Sequence, residues 1–393
     1  MSGSVIVSSA RTPIGKLSGA FASLSAMDLG GVAIKAALER AGVPGDQVDY
    51  VIMGHVLQAG QGQITARQAA AKAGVPMDVP ALTINKVCLS GINALYLADQ
   101  MIQSGDADIV VCGGMESMTN APYLLQGARA GYRMGNAEAL DSLIHDGLWC
   151  AFEMEHMGSG TERYANEHEV EREAQDILAA KSHERAAAAI KEGRLADEIT
   201  PVSIPQRKGD PIVVDTDEGV RPGTTVESLG ALKPAFVKDG TITAGNASQI
   251  SDGAAAMVVT SRERAEQLGA APLAELAAFG MVAGPDPSLL HQPSRAIKAA
   301  LARADLSLDA IDLFELNEAF AAVGVASMRD LGISDDVVNV NGGAIALGHP
   351  VGMSGARIVL TLVNELRRRG GGTGAAALCG GGGQGDAAIV RTL

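Results

Sequence analysis

Four residues stand where reactive groups are useful: Cys88 in "NKVCLSGINAL", Asn317 in "ELNEAFA", His349 in "NGGAIALGHPVGMSGAR" and Cys379 in "LCGGGGQGD". Cys88 sits where an apolar helical pattern begins. A thiol near a helix N-terminus has a lowered pKa and is substantially thiolate at neutral pH. The same residue also reads as a small buried hydrophobe. His349 precedes Pro350, which suits the first turn of a helix, and its glycines permit close backbone approach. An imidazole there activates a thiol, donates to an oxyanion, or is structural. Cys379 ends a strand at a glycine-rich turn, a place for acid/base work or a second nucleophile. That turn is not a Walker A loop, because no Gly-Lys-Ser/Thr follows, and it lacks the Rossmann spacing. Asn317 reads as the holder of a water or an oxyanion, or as a helix cap. Cys112 and Cys150 read as structural, and no Cys/His spacing suits zinc.

The elements that must position these groups occur twice. "IKAALERAGVPGDQVDYVIM" (34–53) and "IKAALARADLSLDAIDLFEL" (297–316) share their first five residues, Arg40-Ala41 with Arg303-Ala304, and Asp46 and Asp49 with Asp309 and Asp312. Each copy predicts an amphipathic helix, a polar turn and a strand. Downstream, Gly91 opens a helix ending near Gly105, followed by the strand "DIVVCGG". In the other half Ile358, Val359, Leu362, Val363 and Leu366 form one helical face. Arg367 to Arg369 suit its C-terminal dipole, Gly370 its C′ position, and "GAAALCGG" repeats the strand. Aligning Gly91 with Gly352 sets Cys88 against His349. Aligning the Cys-Gly-Gly turns sets Cys112 against Cys379. The pattern predicts two similar α/β halves whose helix starts carry a thiol and an imidazole.

Residues 120–249 have another texture. "ERYANEHEVEREAQDILAAKSHERAAAAIKEG" predicts polar helices with a break near Asn166 and His168. "PVSIPQRKGDPIVVDTDEGVRPGTT" predicts a loop or hairpin, and "NASQISDGAAAMVVTS" predicts turn, helix and strand. Across 393 residues a 47% hydrophobic content supports a large core, and 48 glycines with 3% aromatics favour tight α/β packing. A net charge of −14 argues against a general nucleic-acid binder. The four cysteines suggest no disulfide framework and fit a reducing compartment. The sequence shows no signal peptide, no membrane span and no peroxisomal tripeptide. The expectation is a cytoplasmic protein with no membrane partner.

Together these motifs resemble the thiolases. The marks are "VCLSGINAL", "NEAFA", "GGAIALGHPVGMSGAR" and "CGGGGQGD", in that order from "SARTPIG" to the C-terminus. "EHMG" (155–158) is similar to the short-chain biosynthetic branch, the bacterial acetyl-CoA acetyltransferases. The resemblance implies an α/β fold: a five-layered αβαβα sandwich of two similar βαβαβαββ halves with an inserted loop domain. The implied bounds are 1–119 plus 250–270 for the N-terminal half, 120–249 for a CoA-binding loop domain, and 271–393 for the C-terminal half. It implies that Cys88 becomes acylated, that His349 activates it, and that Cys379 moves the proton. His349 and an Asn317-held water would form one oxyanion hole. The N–H groups of Cys88 and Gly381 would form the other. Arg221, Ser228 and Ser248 would contact CoA, while His156, Met157 and Phe320 would shape the acyl end. A basic turn at Arg207 and Lys208 reads as solvated or as a phosphate contact.

The implied reaction is condensation of two acetyl-CoA to acetoacetyl-CoA and CoA, or its reverse. It needs no cofactor beyond CoA thioesters and no metal, and the implied assembly is a homotetramer, a dimer of dimers. Three departures bear on acyl-chain preference: Leu89 after the cysteine, His291 in "LLHQPSRA", and Cys150 in "GLWCAF". Rival readings are a longer-chain 3-ketoacyl-CoA thiolase and a non-catalytic CoA-binding assembly subunit. A ketoacyl synthase or a cysteine hydrolase has no use for Cys379.

Overall fold

The computed structural model describes residues 4–393. Its main strands are β1 (Ser4–Arg11), β2 (Tyr50–Gly54), β3 (Ala81–Ile84), β4 (Ile109–Ser117), β5 (Ser251–Ser261), β6 (Ala274–Ala283), β7 (Leu313–Leu316), β8 (Thr373–Gly380) and β9 (Gln384–Thr392). The main helices are α1 (Ala26–Ala41), α2 (Ser90–Ser104), α3 (Met157–Glu167), α4 (Arg172–Lys191), α5 (Gln292–Ala304), α6 (Ala321–Leu331) and α7 (Ser354–Arg368).

The strands form one twisted path in the order β7-β8-β9-β6-β1-β5-β4-β2-β3. Near the middle, β1 and β6 join it antiparallel through Val5–Glu275 and Ile6–Ala274. On one side β5, β4, β2 and β3 follow β1. On the other β9, β8 and β7 follow β6. The fifth position there is a single parallel bridge, Phe314–Val338, where the sequence reading expected a strand. Helix α1 covers the outer face of the first group. α2 and α7 lie between the groups, and α5 with α6 covers the far face. Three apolar clusters fill the spaces between these five layers.

The predicted internal repeat is present. Both copies run helix, 3-10 turn and strand: α1, Gly45–Gln47 and β2; α5, Leu308–Ala310 and β7. Matched aspartates do matched work. Asp49 accepts from the N–H groups of Asp108 and Ile109 at the start of β4, and Asp312 accepts from Thr373 N–H at the start of β8. The helix ends match too, with left-handed caps at Gly42 and Asp305. Residues 246–261 differ from expectation: no helix precedes β5. The alanines of "DGAAAMVV" are fully buried between antiparallel partners β1 and β4, where burial outweighs alanine's helix propensity.

Helices α2 and α7 cross at their first turns. A Cβ on Gly91 would lie 2.6 Å from the Ala356 nitrogen, and one on Gly355 would overlap the Ile92 nitrogen. This reciprocal contact pairs Gly91 with Gly355 and Ser90 with Ser354. The alignment of Gly91 with Gly352 is therefore three residues out. Cys88 has Gly352 as its structural counterpart, and His349 has Asn85.

The inserted segment behaves largely as its sequence suggests. Helix α3 ends at Glu167, α4 begins at Arg172, and Val202–Ile204 pairs with Ile212–Val214 as a hairpin. Buried Arg11 anchors the segment through Glu198 (2.6 Å) and both oxygens of Asp217 (2.7 and 2.9 Å). Removing one partner of such a buried group leaves an uncompensated charge, which costs about 3–5 kcal/mol. No helix among the described residues is long and apolar enough to cross a membrane.

Candidate active site

The turn Asn85–Leu89 delivers Cys88 to the mouth of α2. Val87 adopts a left-handed backbone with φ 50°. A β-branched residue there costs about 1–3 kcal/mol, so the turn must be held. Asn85 Oδ1 accepts from Val87 N–H (2.9 Å), Ser90 Oγ accepts from Lys86 N–H (2.9 Å), and Ser90 Oγ–H donates to Val87 O (2.6 Å). Cys88 ends up 4% exposed. The backbone N–H groups of Cys88 and of Gly381 lie near enough to its sulfur to favour the thiolate.

Burial pushes the Cys88 thiol up to about 12, against the smaller opposing pull of those two N–H groups, and Glu116 adds to the rise. The expected thiolate at a helix N-terminus is therefore not the resting form. Desolvation outweighs the pull of those N–H groups. Burial also raises the Cys379 thiol, and nearby Cys88 adds to that rise. His349 is pushed down to about 3 by burial and then by the Arg357 charge. The resting site is a neutral thiol beside a neutral imidazole.

The imidazole's tautomer follows from its neighbours. With Ser354 Oγ–H donated to Pro350 O (2.9 Å), the hydroxyl accepts at His349 Nδ1, 2.6 Å away. In that arrangement Nδ1 carries the proton and Nε2 presents a lone pair. Asn317 Nδ2 lies 3.4 Å from Nε2. Asn317 is not a helix cap, since α6 begins only after Phe320. Its Oδ1 is buried and has no hydrogen-bond partner.

A cleft of about 440 Å³ opens onto this group. Cys88, His349, His156, Met157, Arg221, Ser248 and Phe320 all line it. Gly381 and Cys379 are not among its lining residues, and Cys379 is 1% exposed. The spacing and burial suit transfer of an acyl group onto a cysteine.

Comparison with known proteins decides the family. The description "Thiolase, N-terminal domain" matches residues 4–263, and "Thiolase, C-terminal domain" matches residues 270–392. The chain belongs to the thiolase family. It is 58% identical over 387 residues to a probable acetyl-CoA acetyltransferase of Mycolicibacterium smegmatis, covering 98% of this chain and 100% of that protein. It is 53% identical to the acetyl-CoA acetyltransferase of Cupriavidus necator, with 98% of both chains covered. The crystal structure of the Bacillus anthracis acetyl-CoA acetyltransferase superposes with a TM-score of 0.97 at 40% identity, covering 100% of this chain and 99% of that one.

Not every residue singled out in this thiolase reaches the cleft. Ser228 is spent on a capping box: it donates to Thr225 O (2.8 Å) and accepts from Thr225 N–H (3.0 Å). Arg207 and Lys208 are exposed in the hairpin turn. His291 pairs with Asp330 (2.7 Å) at the start of α5, and Cys150 lines a separate small pocket with Gly382. Leu89 is fully buried and packs on Gly380.

Other residues were missed. Ser354 is legible in hindsight through the Ser-Gly step it shares with Ser90. Glu116 left no local signal. It is fully buried and accepts from Val56 N–H, Leu57 N–H and Gly352 N–H (3.0–3.1 Å), with His55 Nε2 at 3.3 Å. His183 accepts from Arg221 N–H (3.1 Å) and so holds the loop that carries Arg221.

Proposed function

We propose that this thiolase is an acetyl-CoA C-acetyltransferase, condensing two acetyl-CoA to acetoacetyl-CoA and CoA and running the reverse thiolysis. The observation that carries this reading is one cleft lined by both Cys88 and His349, with Asn317 Nδ2 3.4 Å from His349 Nε2.

In the first half-reaction Cys88 Sγ attacks the thioester carbon and His349 Nε2 takes its proton. The Cys88 and Gly381 N–H groups stabilise the oxyanion. The bond to the CoA sulfur breaks, and Cys379 protonates that thiolate. In the second, the Cys379 thiolate takes the α-proton of another acetyl-CoA, and the raised affinity of its buried sulfur for a proton makes it the stronger base. His349, now carrying Nε2–H, and a water held by the free Asn317 Oδ1 stabilise the enolate. The enolate carbon attacks the acetyl-Cys88 carbonyl, the Cys88 C–S bond breaks, and His349 returns the proton. Both thiols and the imidazole end as they began, so the reaction consumes only CoA thioesters and calls for neither metal nor cofactor.

Met157, Phe236 and Phe320 crowd the acyl end, with the Phe236 ring 4.8 Å from the His156 ring and 6.0 Å from the Phe320 ring. That crowding supports a short acyl group. Arg221 and Ser248 are assigned to CoA, and residues 120–249 to the CoA-binding unit. We place the enzyme in cytoplasmic fatty-acid metabolism as a homotetramer. Exposed Tyr123, Leu125, Met134 and Phe152 offer apolar contact area for a second copy. Monomer alone in light scattering would refute the assembly. The activity is tested by thiolysis kinetics on acetoacetyl-CoA and on a longer 3-ketoacyl-CoA, with Cys88→Ala as control. Preference for acetoacetyl-CoA, lost in the variant, is expected. Preference for the longer substrate would move the protein to the degradative branch, and no cleavage of either would favour a binding subunit.

A further inference from the structure

The Cys88 and Gly381 N–H groups, to which the reaction above gives the oxyanion, come from separate turns, Asn85–Leu89 before α2 and residues 380–383 at the end of β8 and before β9. Among the described residues no backbone hydrogen bond joins these turns. They touch through side chains: a Cβ on Gly380 would lie 2.6 Å from Leu89 Cγ, and one on Gly381 would lie 3.4 Å from Val87. One polar device spans the seam. Lys86 Nζ donates to both oxygens of Asp386 at 2.8 Å, and Asn93 Nδ2 on α2 donates to the same carboxylate at 3.2 Å. The Asp386 side chain is 0% exposed and that of Lys86 23%. The placement is direct. Lys86 lies two residues before Cys88, and Asp386 pairs across the sheet with Leu378, next to Cys379.

We propose that the Lys86–Asp386 ion pair is a positioning device that sets the spacing of the Cys88 and Gly381 N–H donors. Acyl transfer then depends on two residues that do not touch the substrate. A buried carboxylate must have its partners, so the pair ties the two packed turns to one geometry. The proposal rests on the acyl-transfer reading above.

Asp386→Asn tests it, because shape is kept while one strong acceptor for Lys86 is lost. Charge alone would make Cys88 easier to ionise, since a buried negative charge has gone, and alkylation of Cys88 by iodoacetamide at pH 8 would speed up. Displacement of the Gly381 donor acts the other way. The expected result is kcat for acetoacetyl-CoA thiolysis down about ten-fold or more, KM within about two-fold, and slower alkylation. Lys86→Arg, which keeps a bidentate pair, is expected to retain most of the rate. Arg262→Gln removes a surface ion pair to Glu275 at 3.0 Å, also between the β5 and β6 sides of the sheet, and is expected to change neither readout. Unchanged kcat in Asp386→Asn, or faster alkylation, would overturn the proposal. So would a kcat loss that matches the loss of folded protein by circular dichroism. A wild type without turnover would instead remove the functional reading and the proposal with it, and that result shows in the unmutated enzyme.

Discussion

The turn before α2 carries a thiol and the turn before α7 carries an imidazole, yet the two helices begin with the same Ser-Gly step and cross through those glycines. The shared serine does different work in each. Ser90 Oγ closes the Cys88 turn by bonding Val87 O and Lys86 N. Ser354 Oγ reaches back to His349 Nδ1 at 2.6 Å and orients the ring. The reactive residues are also set back differently, two positions before the serine for Cys88 and five for His349. A duplicated scaffold supplies two meeting helix ends, and divergence within the turns gives one a thiol and the other an imidazole.

The comparison breaks most readily at His349. His349→Ala is expected to lower kcat by about 10³-fold, the range for a positioned general base, with KM little changed. Asn85→Ala, its counterpart in the other half, is expected to cost no more than about ten-fold, because a turn bond is worth only about 1 kcal/mol. Steady-state thiolysis of both variants decides it, and equal losses would dissolve the distinction.

The two serines sharpen it. Ser354→Ala is expected to lower kcat by about 10–100-fold, as loss of an orienting partner does, with little change in Tm. Ser90→Ala is expected to act first on stability, by about 1–3 kcal/mol, because Lys86 N–H and Val87 O lose their partner. Thermal melts beside kinetics separate the two.

The crossing itself is probed by Gly355→Ala. The added methyl overlaps the Ile92 backbone, which cannot retreat as a flexible side chain would, so a loss of about 1–3 kcal/mol is expected in urea unfolding.

The smallest effect is on pH. Burial, then the Arg221 charge, pushes His183 down to about 4. Between pH 6.5 and 4 the unfolded chain binds this proton and the folded chain does not. Its contribution to stability is thus full above 6.5 and is lost as pH falls through that window. Protonation also removes the Nδ1 acceptor for Arg221 N–H, so KM for CoA is expected to rise near pH 4. His183→Gln, titrated in parallel, is expected to flatten both trends.

Much of this was legible in the sequence because it is local or repeated. The matching helix–turn–strand copies placed α1 with β2 and α5 with β7, and the four motifs named Cys88, Asn317, His349 and Cys379. What escaped depends on contacts distant in sequence. Glycine is too common here to set a register, so Gly352 was matched to Gly91 when the Ser-Gly step was the better anchor. The protonated state of Cys88 follows from its burial in the folded core, which a helix-start motif does not show. Ser228 is a local exception: a capping box over the four residues Thr225–Ser228 takes its hydroxyl without changing the motif around it. Glu116 and the Lys86–Asp386 pair join segments that carry no shared pattern.

The central claim is that Cys88, and not Cys379, carries the acyl group. The most direct measurement is peptide mass spectrometry of the enzyme quenched after mixing with acetyl-CoA. The account expects one acetyl group on the peptide containing Cys88, absent in Cys88→Ala and retained in Cys379→Ala. Acetyl on the Cys379 peptide, or none on Cys88 in an enzyme that turns over, would contradict it.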